Sequence, residues 1–230
     1  MSSKPHRRQA LIIGASRGLG LGLTKEYLLR GWDVLATVRT AITGAGLEDY
    51  YDQLTLDTLD INSAHMVDEF MARLHKQVFD VIILNAGIYG ARGKGVEHAS
   101  PEDIVHLMMT NAISPVRLAE RLVPRLRPET GVMAFMSSVL GSLEVNSNDG
   151  NPLYAASKAM LNRLARAFAT EHDYLSLVTL HPGWVRTAMG GENAPLDVET
   201  SVRGMVDVLT SRAGKGGHEF LDYRGKMIPW

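Results

Sequence analysis

The chain has 230 residues, 45% of them hydrophobic and 21% charged, with a formal net charge of −1 at pH 7. Such a balance sets up no global field towards nucleic acid or an anionic membrane surface. The absence of cysteine excludes disulfides, thiolate metal sites and thiol catalysis.

No stretch approaches the ~18 apolar residues of a membrane span. The opening MSSKPHRRQ lacks the apolar core of a secretory signal, so the expected compartment is the cytoplasm. Residues 1–8, with the basic run from Lys4 to Arg8, are expected to form a flexible, solvated tail on one domain spanning 1–230.

Short apolar runs alternate with helix-like segments. Runs at 10–13, 34–38, 53–56, 79–84, 131–136 and 175–180 are nearly continuous in apolar residues, which suits strands buried on both faces of a parallel sheet. A further run at 219–223 is expected as an edge strand. Helices are expected at 19–30, closed by Gly31, and at 63–76, where Met66, Val67, Phe70, Met71 and Leu74 recur at helical spacing. Three more are expected at 101–126, at 152–172 and at 196–209. The first of these has Ser100 as N-cap and Pro101 at the first helical position. The alternation predicts an α/β fold, a doubly wound parallel sheet of about seven strands flanked by helices.

The first strand runs into Gly14-Ala15-Ser16-Arg17-Gly18-Leu19-Gly20. Glycines at this spacing allow a tight turn and close backbone approach, and the helix that follows offers free N–H groups to a pyrophosphate. A glycine cluster alone is also compatible with a plain turn; its place between first strand and first helix favours the phosphate loop. An NAD site usually has a carboxylate about 20 residues further on. Here the second strand ends Thr37-Val38-Arg39, and Asp33 stands at its other end. Arg39, with Arg17 as a second cation, suits a 2′-phosphate, unless both are ordinary surface arginines. The cofactor expected is therefore NADP(H) rather than NAD(H).

Tyr154 and Lys158 lie four residues apart near the start of the fourth helix and share a face. A phenol titrates near pH ~10, and a neighbouring ammonium favours the phenolate. Tyr154 can then exchange a proton with a carbonyl or alcohol. Such a pair also arises by chance.

Taken together with Asn85-Ala86-Gly87, Asn111, Ser137-Ser138 and Pro182-Gly183 in this order, these pieces resemble the short-chain dehydrogenase/reductase family almost end to end. Gly141-Ser142-Leu143, Asn146, the segment 157–162, His181-Pro182-Gly183-Trp184-Val185, Met189-Gly190-Gly191 and Ile228-Pro229-Trp230 resemble its C-factor-like branch. The resemblance implies a single-domain Rossmann fold and an NADP(H)-dependent oxidoreductase acting on a carbonyl or alcohol. It also admits an alternative, a nucleotide-responsive signalling protein with little turnover.

By resemblance, Tyr154 is the general acid/base and Ser138 bonds the substrate oxygen. Lys158 holds the nicotinamide ribose and tunes Tyr154, and Asn111 completes the tetrad. The cofactor would be held by Gly14, Ser16, Arg17, Gly18, Leu19, Gly20 and Arg39, with Ile13 beneath the loop. Asp57 would receive the adenine amino group, and Asn85, Ala86 and Gly87 would line the ribose. Tyr154, Lys158, Pro182, Gly183, Val185 and Thr187 would close the nicotinamide side. The gap from Ser138 to Tyr154 is longer than the family's usual one. The polar insert 147–151 is expected to loop out; if it re-registers the loop, Ser142 replaces Ser138, and Ser137 is a weaker candidate. The family's assembly implies a homodimer or homotetramer through the third and fourth helices.

Pro115 cannot donate to the carbonyl of Asn111. The orphaned carbonyl either holds a water leading towards Lys158 or marks a simple kink. The histidines show no H-x-x-x-H spacing, so no metal is expected, and no serine sits in a G-x-S-x-G elbow. Residues 187–195 are short and glycine-rich, predicting an open, mobile mouth. Tyr89, Leu143, Trp184 and Met189 are candidates for an apolar wall, and the expected substrate is an apolar aldehyde or ketone. No basic stripe or aromatic platform indicates nucleic acid, and His181 is expected to be structural.

Overall fold

The computed structural model describes residues 7–40, 47, 50, 52–90, 96–145 and 151–230. The segments 1–6, 91–95 and 146–150 lie outside them. Most of the expected tail, Asn146 and the greater part of the expected loop-out therefore cannot be compared. Arg7 and Arg8 are not loose: Arg7 pairs with Asp33 at 3.4 Å, and Arg8 lies over the Trp32 ring.

Strands β1 (Gln9–Ile13), β2 (Asp33–Val38), β3 (Leu54–Thr58), β4 (Val81–Leu84), β5 (Val132–Met136), β6 (Ser176–His181) and β7 (Gly217–Asp222) form one sheet. Its order is β3-β2-β1-β4-β5-β6-β7, and every pairing is parallel. Strand order reverses between β1 and β4, so a crevice opens beyond their carboxyl ends.

The inner strands are apolar on both faces because both are covered, whereas the edge strand β3, expected to be buried on both faces, is largely exposed and carries Thr55, Asp57 and Thr58. Ile12, Ala36, Ile83, Ala134 and Val178 face one way, against Leu23 and Tyr27 of α1 (Gly18–Leu29) and Met205 and Leu209 of α6 (Val198–Ser211). Leu11, Leu35, Ile82, Phe135 and Leu177 face the other way. They meet Phe70 of α2 (Ala64–Leu74), Leu118 and Leu122 of α4 (Ser114–Leu122), and Leu161 and Phe168 of α5 (Pro152–Glu171). The alternation is the period-2 signature of a doubly wound sheet.

Several sequence-based boundaries need correction: the helix expected at 63–76 ends at Leu74, the strand at 79–84 starts at Val81, and the last strand starts at Gly217. The third strand runs two residues past the expected 53–56 and so includes Asp57. The last helix starts and ends two residues later than expected. The single helix expected over 101–126 is broken: α3 (Pro101–Met108) passes into a wide turn at Met109–Ile113 before α4 and a final tight turn. Pro115 has no N–H for the carbonyl of Asn111. Next to it, the Ser114 amide reaches back five residues to Met109, the wide register typical of functional helix bulges.

Candidate active site

The glycine loop leaves β1 at the sheet's carboxyl edge. Gly14 has φ +89, and a Cβ there would lie 2.7 Å from the Ala86 backbone. A side chain at Gly20 would collide with the Gly14 carbonyl and with the Asn85 amide. The loop is fixed from beneath: Thr37 accepts from Gly14 N at 3.1 Å and from Ala15 N at 2.7 Å, and Asn85 Nδ2 donates to Gly14 O at 2.6 Å. Arg17 is the N-cap of α1 but makes no side-chain cap, and no acidic residue occupies the first turn. The exposed N–H groups and the positive end of the helix therefore remain free for a phosphate. Ser16, Gly18 and Leu19 complete the turn, and Thr187 comes alongside, 3.5 Å from a Cβ placed on Gly18.

Arg39, the first residue after β2, and Arg17 are both exposed, and neither guanidinium has a partner among the described residues. Asp57 does not join them. Its carboxylate is taken by Arg73 of α2 at 2.9–3.0 Å and by the Thr58 amide at 2.7 Å. The carboxylate that follows the strand end is Asp60, after Leu59, whose amide bonds to Val38 O. Asp57 itself lies inside β3, one residue before its end.

Asn85-Ala86-Gly87 leaves β4 at the same edge. Asn111, fully buried in the wide turn, grips the next residue twice: Ile88 N donates to its Oδ1 and its Nδ2 donates to Ile88 O, both at 2.8 Å. The same Nδ2 reaches Ser157 on α5 at 2.9 Å. A Cβ on Gly87 would lie 3.3 Å from Asn111 Oδ1 and 3.6 Å from Lys158 Nζ. Three segments far apart in sequence thus converge on one point.

Tyr154 and Lys158 are both buried on α5, and the ammonium lies 5.8 Å from the centre of the phenol ring. Lys158 Nζ donates to Met136 O at 2.8 Å, one of three N–H donors that an ammonium carries. Burial lowers its pKa from 10.5 to about 8. Ser138, also buried, follows β5 and caps a tight turn at Val139–Gly141, its Oγ accepting from Leu140 N at 3.2 Å. That turn packs on the backbone of Lys158, as the position of Gly141 shows. Of the other two serines, only Ser137 spends its hydroxyl hydrogen; Ser142, like Ser138, accepts from backbone amides. Ser137 donates to Asn162 Oδ1 at 2.6 Å, and Ser142 accepts from the amides of Glu144 and Val145.

Asn151, expected to belong to a looped-out insert, is instead buried. It caps α5 by accepting from Tyr154 N at 3.1 Å, and its Nδ2 donates to Tyr89 O at 3.0 Å. The Asn151-Pro152 pair was the sequence signal for this cap. Tyr89 packs its ring on Tyr154, centroids 4.9 Å apart.

The far side is the stretch after β6. Pro182 O accepts from Ser201 Oγ, Gly183 packs on Leu196, and the buried Val185 bridges to Leu196. No helix intervenes before α6, so the mouth lacks a helical lid, but the segment is stitched to itself. Trp184 Nε1 donates to Gly190 O at 2.8 Å, Thr187 Oγ1 accepts from Gly190 N, and Arg186 donates to the carbonyls of Ala194 and Pro195. Leu143, Trp184 and Met189 stand exposed; of the expected wall, Tyr89 alone is packed against the phenol. His181 is half-buried at the end of β6, and desolvation lowers its pKa to about 4.

A buried ammonium beside a phenol, a buried serine after β5 and a glycine loop at a sheet's switch point fit a dinucleotide-dependent oxidoreductase. Residues 8–196 match the short chain dehydrogenase family, and the chain belongs to that family. It is 38% identical to the C-signal protein of Myxococcus xanthus over 157 residues, 66% of this chain and 92% of that one. Among solved structures it resembles a short-chain dehydrogenase/reductase-type protein of Burkholderia multivorans with bound NADP. There the TM-score is 0.94 and the identity 42%, covering 98% of this chain and all of that one. A carbonyl reductase of Pseudomonas aeruginosa in complex with NADP matches with TM-score 0.90 and 41% identity, over 98% of this chain and all of the other. No helix among the described residues is long and apolar enough to cross a membrane.

Proposed function

We propose that the protein transfers hydride between NADP(H) and a carbonyl or alcohol, with Tyr154 as general acid and base. The observation that carries the reading is the convergence of Asn111, Gly87, Lys158 and Tyr154 at the sheet's carboxyl edge. The residues present suit the dinucleotide. Gly14 and Gly20 leave bare backbone where a pyrophosphate approaches, Arg17 and Arg39 are unpaired cations for a 2′-phosphate, and Lys158 keeps N–H donors for ribose hydroxyls. Asp60 takes the place proposed from sequence for Asp57. The NADP-bound relatives support the choice of cofactor.

Bound there, the cofactor supplies the hydride. The protein's own residues do the rest. Tyr154 Oη gives its proton to the carbonyl oxygen of the substrate, and the Lys158 ammonium favours the phenolate that remains. Ser138 Oγ donates to the same substrate oxygen and stabilises charge that develops on it. Asn111 fixes the wall formed by Gly87 and Ile88 against Ser157. Val185 and Thr187 close the carboxamide side.

The substrate proposed is an apolar aldehyde or ketone, entering past the exposed Leu143, Trp184 and Met189. The outer faces of α4 and α5 are where a dimer or tetramer would form. The test is loss of the reduced-nicotinamide absorbance with a panel of aldehydes and ketones. Tyr154→Phe should lower kcat by about 10³-fold and leave NADPH affinity within twofold. Undiminished turnover in that variant excludes the reading.

A further inference from the structure

We propose that Tyr89 is a positioning residue for the phenol of Tyr154, setting the plane of its ring and keeping water from one side of it. The inference rests on the reading of Tyr154 as the proton donor. Three contacts form a closed triangle. The Tyr89 and Tyr154 rings lie 4.9 Å apart, tilted by 34°. Asn151 Nδ2 holds the Tyr89 carbonyl at 3.0 Å, and Asn151 Oδ1 receives the Tyr154 amide at 3.1 Å. One side chain thus fixes the backbone of both tyrosines while their rings pack together.

The segment that carries Tyr89 is itself held. Asn111 clamps Ile88, the preceding residue, through both its N–H and its C=O. The ring therefore has little freedom to withdraw. A tyrosine side chain turns about two dihedrals, and its hydroxyl swings by ångströms when either relaxes. A flat neighbour at stacking distance removes that freedom. Proton transfer demands a donor within hydrogen-bond reach of the substrate oxygen, and small misplacements of a reacting group cost rate out of proportion to the stability lost. The hydroxyl of Tyr89 has no part in this argument; the flat ring does.

The experiment compares Tyr89→Phe, which keeps the ring, with Tyr89→Leu, which keeps apolar bulk without a flat face and so protects folding. Both are assayed by steady-state NADPH oxidation beside Tyr154→Phe. The expected result is kcat within twofold of the parent for Tyr89→Phe and about tenfold lower for Tyr89→Leu, with KM for NADPH unchanged in both. A parental kcat in Tyr89→Leu, with Tyr154→Phe inactive, overturns the inference and leaves the function intact. Equal damage in Tyr89→Phe and Tyr89→Leu also overturns it, because the hydroxyl and not the ring would be acting. Full activity in Tyr154→Phe overturns both readings together.

Discussion

The ammonium of Lys158 sits 5.8 Å from the centre of the Tyr154 ring, inside the protein, with Met136 O as its hydrogen-bond acceptor. Desolvation lowers its pKa from 10.5 to about 8. Holding this charge inside the protein has a cost in stability.

That cost is measurable. Below pH 8 the lysine is charged in both the folded and the unfolded chain, and burying it costs roughly 3 kcal/mol by linkage. Between about pH 8 and 10.5 the unfolded chain holds more protons at this site, so the site's contribution to stability rises with pH. Lys158→Met is expected to be more stable than the parent at pH 7, to show no such alkaline rise, and to be inactive. Urea denaturation without dinucleotide at pH 7 and pH 10 measures both; a Met variant less stable at pH 7 contradicts the account.

Arg39 and Arg17 are exposed cations with no partner among the described residues. Arg39→Ala is expected to weaken NADPH binding by about tenfold or more, in keeping with ~1.5–3 kcal/mol for a hydrogen bond to a charged group, and to leave NADH binding unchanged. Arg17→Ala acts in the same direction. Fluorescence titration with the two reduced cofactors decides it, and equal losses for both would remove the 2′-phosphate from consideration.

Two histidines set an acid limit on the fold. Burial lowers His181 and His218 each to about 4, with Asp222 opposing the shift at His181 and Arg166 reinforcing it at His218. Between about pH 6.5 and 4 the unfolded chain takes up protons that the folded chain does not, so stability falls as pH falls. Each site contributes at most roughly 3 kcal/mol. His218→Gln is expected to flatten the decline of the urea midpoint between pH 7 and pH 5. An unchanged slope would place the acid sensitivity elsewhere.

Trp230 ties the segment after Ser138 to the body of the domain. Its carbonyl accepts from Leu143 N at 3.2 Å, and its ring contacts Arg166, His218 and Phe220. Trp230→Ala is expected to cost about 2 kcal/mol and to raise KM for the carbonyl substrate severalfold while KM for NADPH stays constant. Trp230→Phe should restore much of both. A rise confined to the cofactor's KM would contradict this role.

Local patterns in the sequence reached most of the fold. Strands buried on both faces, the Ser100-Pro101 cap and the glycine loop each rest on neighbouring residues, so they were legible. What escaped depends on tertiary context. The bonds of Asp57 to Arg73 and to the Thr58 amide could not be read from the run 53–56, because Arg73 comes from the next helix. The expected 101–126 helix read as continuous because apolar periodicity survives a one-residue widening; Pro115 gave the warning. Asn151 looked like a loop residue, since its second bond runs to Tyr89, 62 positions away. The self-stitched stretch after β6 was invisible because its bonds use backbone carbonyls, which no residue type announces.

The grip of Asn111 on Ile88 and of Asn151 on Tyr89 has a consequence for how such a site diversifies. One short segment sets Gly87 beside Asn111 and Lys158 and packs Tyr89 against the Tyr154 ring, so an insertion of a single residue would displace both at once. On the proposed reading, variation is left to the rim, where the side chains of Leu143 and Met189 stand exposed. New specificities can accumulate there while the chemistry behind them stays fixed.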